Sequence, residues 1–368
     1  MVVYIHELEA WPAFRWDAET LTPQLAAVSR QQGRLIGRMQ DLGFSLQDEA
    51  VVETISEDVL GSSAIEGEHL DKQEVRSSVA RRLGVHIAHA VAAGRDVEGV
   101  VEMMLDATQN YAKPLTAERL FRWHTSLFPS GHSGLSPIIA GRWRTDRTGP
   151  MQVVSGAVGH ERVHFDAPPA NRLEQEMGRF LEWFDAKDGQ DPVVRSAIAH
   201  LWFVTIHPFE DGNGRIARAI ADMALARSED SPRRFYSMSA QIRTERKDYY
   251  DVLERTQRGD LDITPWLQWF LGCLGRAIAA SDGMLSSVLR EARFFERHAG
   301  EAFNERQRLM LGRILNGFEG KLTSSKWAAI AKCSQDTASR DIDDLIRRGI
   351  LIRDAAGGRS TSYSLVVP

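Results

Sequence analysis

The chain has 368 residues, a formal net charge of −5 at pH 7, 43% hydrophobic and 26% charged residues, and two cysteines. That length exceeds one typical domain and suffices for a large core plus an accessory module, while the weak negative charge supplies no global field to draw in nucleic acid or an acidic membrane. Cys273 and Cys333 lie far apart and outside any CxxC pair, so a structural disulfide or zinc site is not expected and both thiols read as inert.

Met1 to Glu9 lacks a basic stretch followed by an apolar core, and no apolar run of about eighteen residues occurs. A cytoplasmic protein without a membrane partner is predicted. Near the start, Trp11, Phe14 and Trp16 read as a core staple. A helix is predicted from Thr22 to Leu42, with Thr22 as N-cap, Pro23 at the first helical position, and Leu25, Val28, Leu35, Ile36 and Met39 at helical spacing. Ser62 and Glu66 are four apart, on one face of a helix that Gly67 would stop.

Between Gln152 and Phe165 the pattern is two short strands around a glycine-containing turn, with Val153, Val154, Ser155 and Gly156 on one side and Val163 on the other. Tyr249 and Tyr250 fall in a helical stretch from Arg243 to Glu254. Residues 300–368 read helix, helix, helix, hairpin. Ser334, Gln335, Thr337 and Ser339 would begin a recognition helix, with Arg340, Arg353 and Arg359 available to phosphate. Asp341, Asp343 and Asp344 dilute that positive charge, so DNA and protein stay open as partners of this region.

The densest chemistry lies in His207-Pro208-Phe209-Glu210-Asp211-Gly212-Asn213-Gly214-Arg215-Ile216-Ala217-Arg218. Gly212, Asn213 and Gly214 form a turn whose N–H groups can converge on an anion. Ile216, Ile220, Met223 and Ala224 then recur at helical spacing, which puts this turn at a helix N-terminus where the dipole favours negative charge. Arg215 and Arg218 share a face of the first turn and offer two forked cations to phosphate oxygens. Asp211 is a hard oxygen ligand suited to Mg²⁺ shared with substrate phosphates. His207 is placed to take a proton from an attacking hydroxyl. Base, metal ligand, anion hole and clamps together describe nucleotidyl transfer. Neither Gly-x-x-x-x-Gly-Lys-Ser/Thr nor Gly-x-Gly-x-x-Gly is present, which excludes the familiar phosphate loops.

His207 to Arg218 fits the Fic family signature HxFx(D/E)GNGRxxR at every specified position, and the chain from about 110 to 275 resembles that family. The flanks carry the likeness too, in Leu115-Thr116 through His124 and Leu127-Phe128, and in Ala140-Gly141-Arg142-Trp143-Arg144. The resemblance implies a mainly α protein with an N-terminal helical domain (1–109) and a Fic catalytic domain (110–275); a helical connector (276–299) and the region 300–368, which by its own pattern resembles a winged helix-turn-helix, complete four parts. It implies protein adenylyltransfer, with ATP and Mg²⁺ as cofactors and a Ser, Thr or Tyr hydroxyl of a target protein as acceptor. His207 would be the base, Asp211 the metal ligand, Gly212, Asn213 and Gly214 the anion hole, and Arg215 and Arg218 the β- and γ-phosphate ligands. Phe209 would anchor the loop, one of Tyr249 and Tyr250 would meet adenine, and the hairpin of Val153, Val154, Ser155, Gly156 and Val163 would be a flap that docks the target.

Ser62-Ser63-Ala64-Ile65-Glu66-Gly67 fits the family's inhibitory pattern Ser/Thr-x-x-x-Glu-Gly/Asn, whose glutamate pairs with the signature's second arginine, here Arg218. The sequence leaves open the direction of transfer, the phosphate-linked group moved, self-modification and a homodimer. It also leaves open a nucleotide-sensing DNA-binding regulator.

Overall fold

A computed structural model describes residues 3–40, 44–87, 90–147, 149–156, 160, 162–315, 318, 320–354 and 361–366. Among the described residues the fold is mainly helical, with three two-stranded antiparallel sheets, and the chain divides into two compact units, Met1–Ser281 and Asp282–Pro368. No helix among the described residues is long and apolar enough to cross a membrane.

In the first unit, α1 spans Ala18–Gln40. It starts a turn earlier than the sequence predicts, because Asp17 Oδ1 accepts the backbone N–H groups of Glu19 (3.0 Å) and Thr20 (3.1 Å). Thr22, expected as the cap, lies inside the helix and donates its hydroxyl to Ala18 O at 2.7 Å, and Pro23 is internal as well. The predicted end at Leu42 falls outside the described residues. Trp11 is buried against Phe14 and Trp202 and donates its indole N–H to Glu176 at 2.9 Å.

Helix α2 (Phe44–Ile65) ends where Gly67 takes a left-handed φ of 87°, with the N–H groups of Gly67 and Glu68 folded back onto Ala64 and Ser63 carbonyls. After α3 (Lys72–Leu83), α4 (Arg95–Gln109) and α5 (Ala117–Leu127) come two hairpins. The first pairs β1 (His132–Ser133) with β2 (Ser136–Pro137); the second pairs β3 (Gln152–Ser155) with β4 (Arg162–Asp166), with an irregularity between Val153 and Val154.

Helix α6 (Leu173–Asp185) precedes the central pair, α7 (Pro192–Ile206) and α8 (Asn213–Glu229). Asp191 caps α7 and Pro192 opens it. Leu201, Phe203, Ile216, Ile220 and Met223 are buried, so these helices form the core on which the 207–212 loop is mounted. Helices α9 (Met238–Thr244), α10 (Arg246–Gln257) and α11 (Thr264–Arg297) follow, the last passing the end of the first unit at Ser281.

Helix α2 is seated on α9 by backbone contact. A β-carbon on Gly61 would fall 2.7 Å from the Ser239 carbonyl carbon and 2.8 Å from the Ala240 nitrogen. One turn before it, Asp58 accepts from Ser237 Oγ (2.6 Å) and Ser239 N (3.2 Å). Burial, followed by the nearby Asp222 charge, lifts the Asp58 carboxyl to about 8. Asp222 itself is ion-paired with Arg234, both fully buried.

In the second unit, α12 (Glu305–Leu315), α13 (Ser324–Ile330), α14 (Gln335–Arg347) and the hairpin of β5 (Leu351–Arg353) with β6 (Tyr363–Leu365) enclose Met310, Trp327, Ile342, Leu345 and Leu351. Ser334 caps α14 and Arg340 is paired with Asp336 at 2.7 Å. Asp341 faces inward, held by Arg306 and Asn304, so it acts within the fold. Arg359 and the turn between the strands lie outside the described residues. Cys273 is buried and Cys333 half-buried, both free.

Candidate active site

The site is assembled where α7 ends and α8 begins. His207 closes α7 as its C-cap in the left-handed region (φ 52°), a conformation that costs a non-glycine residue energy and here turns the chain out of the helix. Arg144, itself buried, holds that turn: its Nε donates to His207 O (2.7 Å), its backbone N–H to Pro208 O (2.9 Å), and its Nη2 to Pro168 O (2.5 Å). Phe209 is fully buried and stacked on His124, with ring centroids 4.1 Å apart. Asn213 brackets it, its side chain accepting from Phe209 N (2.9 Å) and donating to Phe209 O (2.8 Å). The side chain of Asn213 is therefore spent on the loop, and only its backbone can serve an anion.

Gly212 is left-handed (φ 79°), and a β-carbon there would sit 2.9 Å from the Phe128 ring. The first turn of α8 follows, leaving its N–H groups unpaired within the helix and its dipole directed at the loop.

The His207 ring is aimed by its own helix. Its Nδ1 lies 3.3 Å from Val204 O, and because a carbonyl only accepts, Nδ1 carries the proton and Nε2 is the basic nitrogen. Burial pushes the imidazole down to about 4, so it is neutral near pH 7. His124 shows the opposite tautomer: its Nδ1 accepts from Gly141 N (3.0 Å), leaving Nε2–H to donate to Asp211 O (3.1 Å).

Asp211 presents its carboxylate beside the loop. Ser133, on the β1–β2 hairpin, donates its hydroxyl to Oδ2, and Gly212 N–H meets Oδ1. Among the described residues no group of three His, Cys, Asp or Glu side chains is arranged to hold a metal ion. A single carboxylate beside an anion cradle does fit Mg²⁺, which commonly takes one or two carboxylates and completes its shell with substrate phosphate and water.

Arg215 and Arg218 are almost fully buried, and both meet the segment at and just after the end of α2. Arg218 donates Nε to Ser62 Oγ (2.9 Å), and Nη2 to Ser62 O (2.9 Å) and Glu66 Oε1 (2.8 Å). The Glu66 carboxylate lies over the glycine turn, where a β-carbon on Gly214 would collide with it. Arg215 lies over the Phe128 ring (5.0 Å to the centroid) and donates Nη1 to Glu68 Oε2 at 2.6 Å. Two buried guanidinium nitrogens, Arg215 Nε and Arg218 Nη1, have no hydrogen-bond partner among the described residues.

Around this centre the remaining expected residues take distinct places. Tyr249 is buried, its hydroxyl 2.9 Å from His200 Nε2 and its ring beside Trp266 and Trp269. Tyr250 is 37% exposed and lies under Arg246, whose Nε donates to Ile65 O at 2.8 Å. Of the two, Tyr250 is thus the one with ring surface open to a ligand. Val153, Val154 and Ser155 lie on β3 and Val163 on β4, while Gly156 follows β3 with φ 109°. This hairpin is fastened to α10 through Glu254, which meets His164 Nδ1 (2.6 Å) and Arg162 (2.9 Å).

Sequence reasoning missed Ser133, Glu68 and the clamping role of Arg144. Ser133 is 78 residues from Asp211, and no local pattern marks it. Glu68 stands two residues beyond Glu66, where an extra acid reads as a solvated charge.

Residues 114–225 match the model of the Fic/DOC family, and residues 4–85 match that of a domain of unknown function, DUF4172. A protein adenylyltransferase Fic from Nematostella vectensis is 28% identical over 238 residues, which is 63% of this chain and 49% of that protein. The chain thus spans about half the length of that relative. A uridine 5'-monophosphate transferase from Xanthomonas campestris pv. campestris (strain 8004) is 32% identical over 122 residues, 31% of this chain and 21% of its own. Among solved structures, a Fic family protein from Desulfovibrio desulfuricans G20 shares the fold over 94% of this chain and 96% of its own, with a TM-score of 0.52 at 23% identity.

Proposed function

We propose that this chain, whose residues 114–225 match the Fic/DOC family model, transfers AMP from ATP to a hydroxyl of a target protein and is restrained in cis by Glu66. The observation that carries this reading is a carboxylate beside the glycine turn, over Gly214 and held by buried Arg218. A glycine turn at a helix N-terminus, beside two buried guanidiniums that already hold carboxylates and each keep a nitrogen without a hydrogen-bond partner among the described residues, has the chemistry to accept a diphosphate. Fic relatives of modest identity bear the name protein adenylyltransferase, which supports the reaction class.

In this mechanism, Nε2 of neutral His207 takes the proton from a Ser, Thr or Tyr hydroxyl as its oxygen attacks the α-phosphorus. The bond from that phosphorus to the α,β-bridging oxygen breaks, and pyrophosphate leaves into the backbone N–H groups of 212–214 and the forks of Arg215 and Arg218. Asp211 would hold Mg²⁺, which neutralises phosphate charge when bound. Val153, Val154, Ser155, Gly156 and Val163 would pair the target backbone along the hairpin edge, holding its hydroxyl near His207 with loose sequence preference. Tyr250 would border the base. With Glu66 on Arg218, the γ-phosphate lacks its clamp.

The Xanthomonas relative's name favours one second reading, transfer of another nucleotide monophosphate through the same cradle. The test uses the full chain and Glu66→Gly with lysate, and compares ATP labelled at the α-phosphate, ATP labelled at the γ-phosphate, and α-labelled UTP. Protein label from α-labelled ATP alone is expected. Label from UTP moves the assignment to uridylyl transfer. No covalent label from any donor, together with sequence-selective DNA binding by the chain, supports instead a nucleotide-sensing regulator acting through 300–368.

A further inference from the structure

We propose that Glu68 is a second inhibitory carboxylate, so that Glu66-Gly67-Glu68 engages both phosphate clamps at once: Glu66 on Arg218 and Glu68 on Arg215. This rests on reading the two arginines as phosphate ligands.

Three observations converge on the pair. Glu68 Oε2 lies 2.6 Å from Arg215 Nη1, closer than the 2.8 Å between Glu66 Oε1 and Arg218 Nη2. The left-handed Gly67 reverses the chain at the end of α2, so that residues 66 and 68 both reach the first turns of α8, meeting 218 and 215 in antiparallel order. Arg215 has little room to turn away, since its side chain is 3% exposed and its guanidinium lies over the Phe128 ring. Its Nη2 also stands 3.9 Å from Asp211 Oδ1, a second carboxylate on the same guanidinium. A phosphate oxygen that takes the N–H now given to Glu68 must displace that carboxylate.

The lock differs from that of Glu66 in strength. The Glu68 side chain is 44% exposed against 31% for Glu66, so water screens its attraction more and displacement costs less. Glu68 therefore behaves as the weaker of two serial latches: removing Glu66 frees Arg218 but leaves Arg215 occupied.

Calorimetric titration of the full chain with ATP, pyrophosphate and adenosine tests this without depending on transfer activity. The proteins are the wild type, Glu68→Gln, Glu66→Gly and the double variant. In the Glu66→Gly background, Glu68→Gln is expected to tighten ATP and pyrophosphate about fivefold, the scale of an exposed ion pair, and to leave adenosine unchanged. Glu68→Asp, which keeps the charge, should fall short of that gain. The proposal is overturned if Glu66→Gly tightens ATP and Glu68→Gln adds nothing, or if adenosine tightens in parallel, which would mark a general loosening of the site. Failure of every variant to bind ATP or pyrophosphate would sink the phosphate-clamp reading and this proposal with it.

Discussion

Glu66 Oε1 lies 2.8 Å from Arg218 Nη2, a contact between residues 152 positions apart that places a carboxylate over Gly214. The same guanidinium donates to Ser62 Oγ and Ser62 O, so one buried arginine joins the end of α2 to the first turns of α8.

From this contact follows a non-additive pair of variants. Glu66→Gly should raise target or self-labelling on the order of tenfold, the scale of one charge-assisted hydrogen bond released from competition. Adding Arg218→Ala should erase the gain, since the freed clamp no longer exists. Initial labelling rates for the four members of the cycle at saturating ATP provide the check. Equal rates for wild type and Glu66→Gly would remove the inhibitory role and leave the transferase reading standing.

His207→Ala should lower transfer roughly 10²–10⁴-fold while nucleotide affinity stays nearly constant, because the cradle does not depend on the imidazole. Burial holds His207 down near 4. A base that works only when neutral is then available at all pH values above about 4 and is lost as pH falls through that value. Rates of Glu66→Gly should therefore be flat in this group from about pH 6 to 8, whereas an unperturbed histidine would halve the rate near 6.5. A rate profile with its midpoint close to 6.5 would contradict this lowering of the imidazole.

Gly61→Ala should push α2 away from α9, because the added carbon falls within 2.8 Å of backbone at Ser239 and Ala240 and backbone yields little. A loss of about 1–3 kcal/mol in denaturant unfolding is expected, as for other overpacked sites. Displacement of α2 should also draw Glu66 off Arg218, so labelling per folded molecule should rise. A variant as stable as wild type would show that this seat is not tight.

The Fic-like signature and the helical class are legible in the amino-acid sequence because each is written in local pattern. His207 to Arg218 is one uninterrupted signature, and Ile216, Ile220 and Met223 declare their helix by spacing alone. The start of α1 misleads for an equally local reason: Thr22-Pro23 carries the marks of a helix start, but Asp17 offers a carboxylate to two N–H groups one turn sooner and prevails. Other features depend on distant pairings. Arg144 meets His207, Pro208 and Pro168 only after folding, Ser133 reaches Asp211 from a separate hairpin, and the value of Gly61 lies in the backbone of Ser239. Tyr249 and Tyr250, neighbours in sequence, point to a core hydrogen bond and an exposed surface respectively, a division that helical spacing alone does not assign.

The carboxylate of Glu66 is attached to the same chain as the arginine it holds, with α2 fixed against α9 between them and the rest of the molecule. Such a tethered ligand has an effective concentration set by geometry, not by how much protein is present. If Glu66 restrains transfer as proposed, dilution does not relieve it. On the proposed role of Glu66, the active fraction is set within each molecule and shifts with a competitor for Arg218 or a displacement of α2.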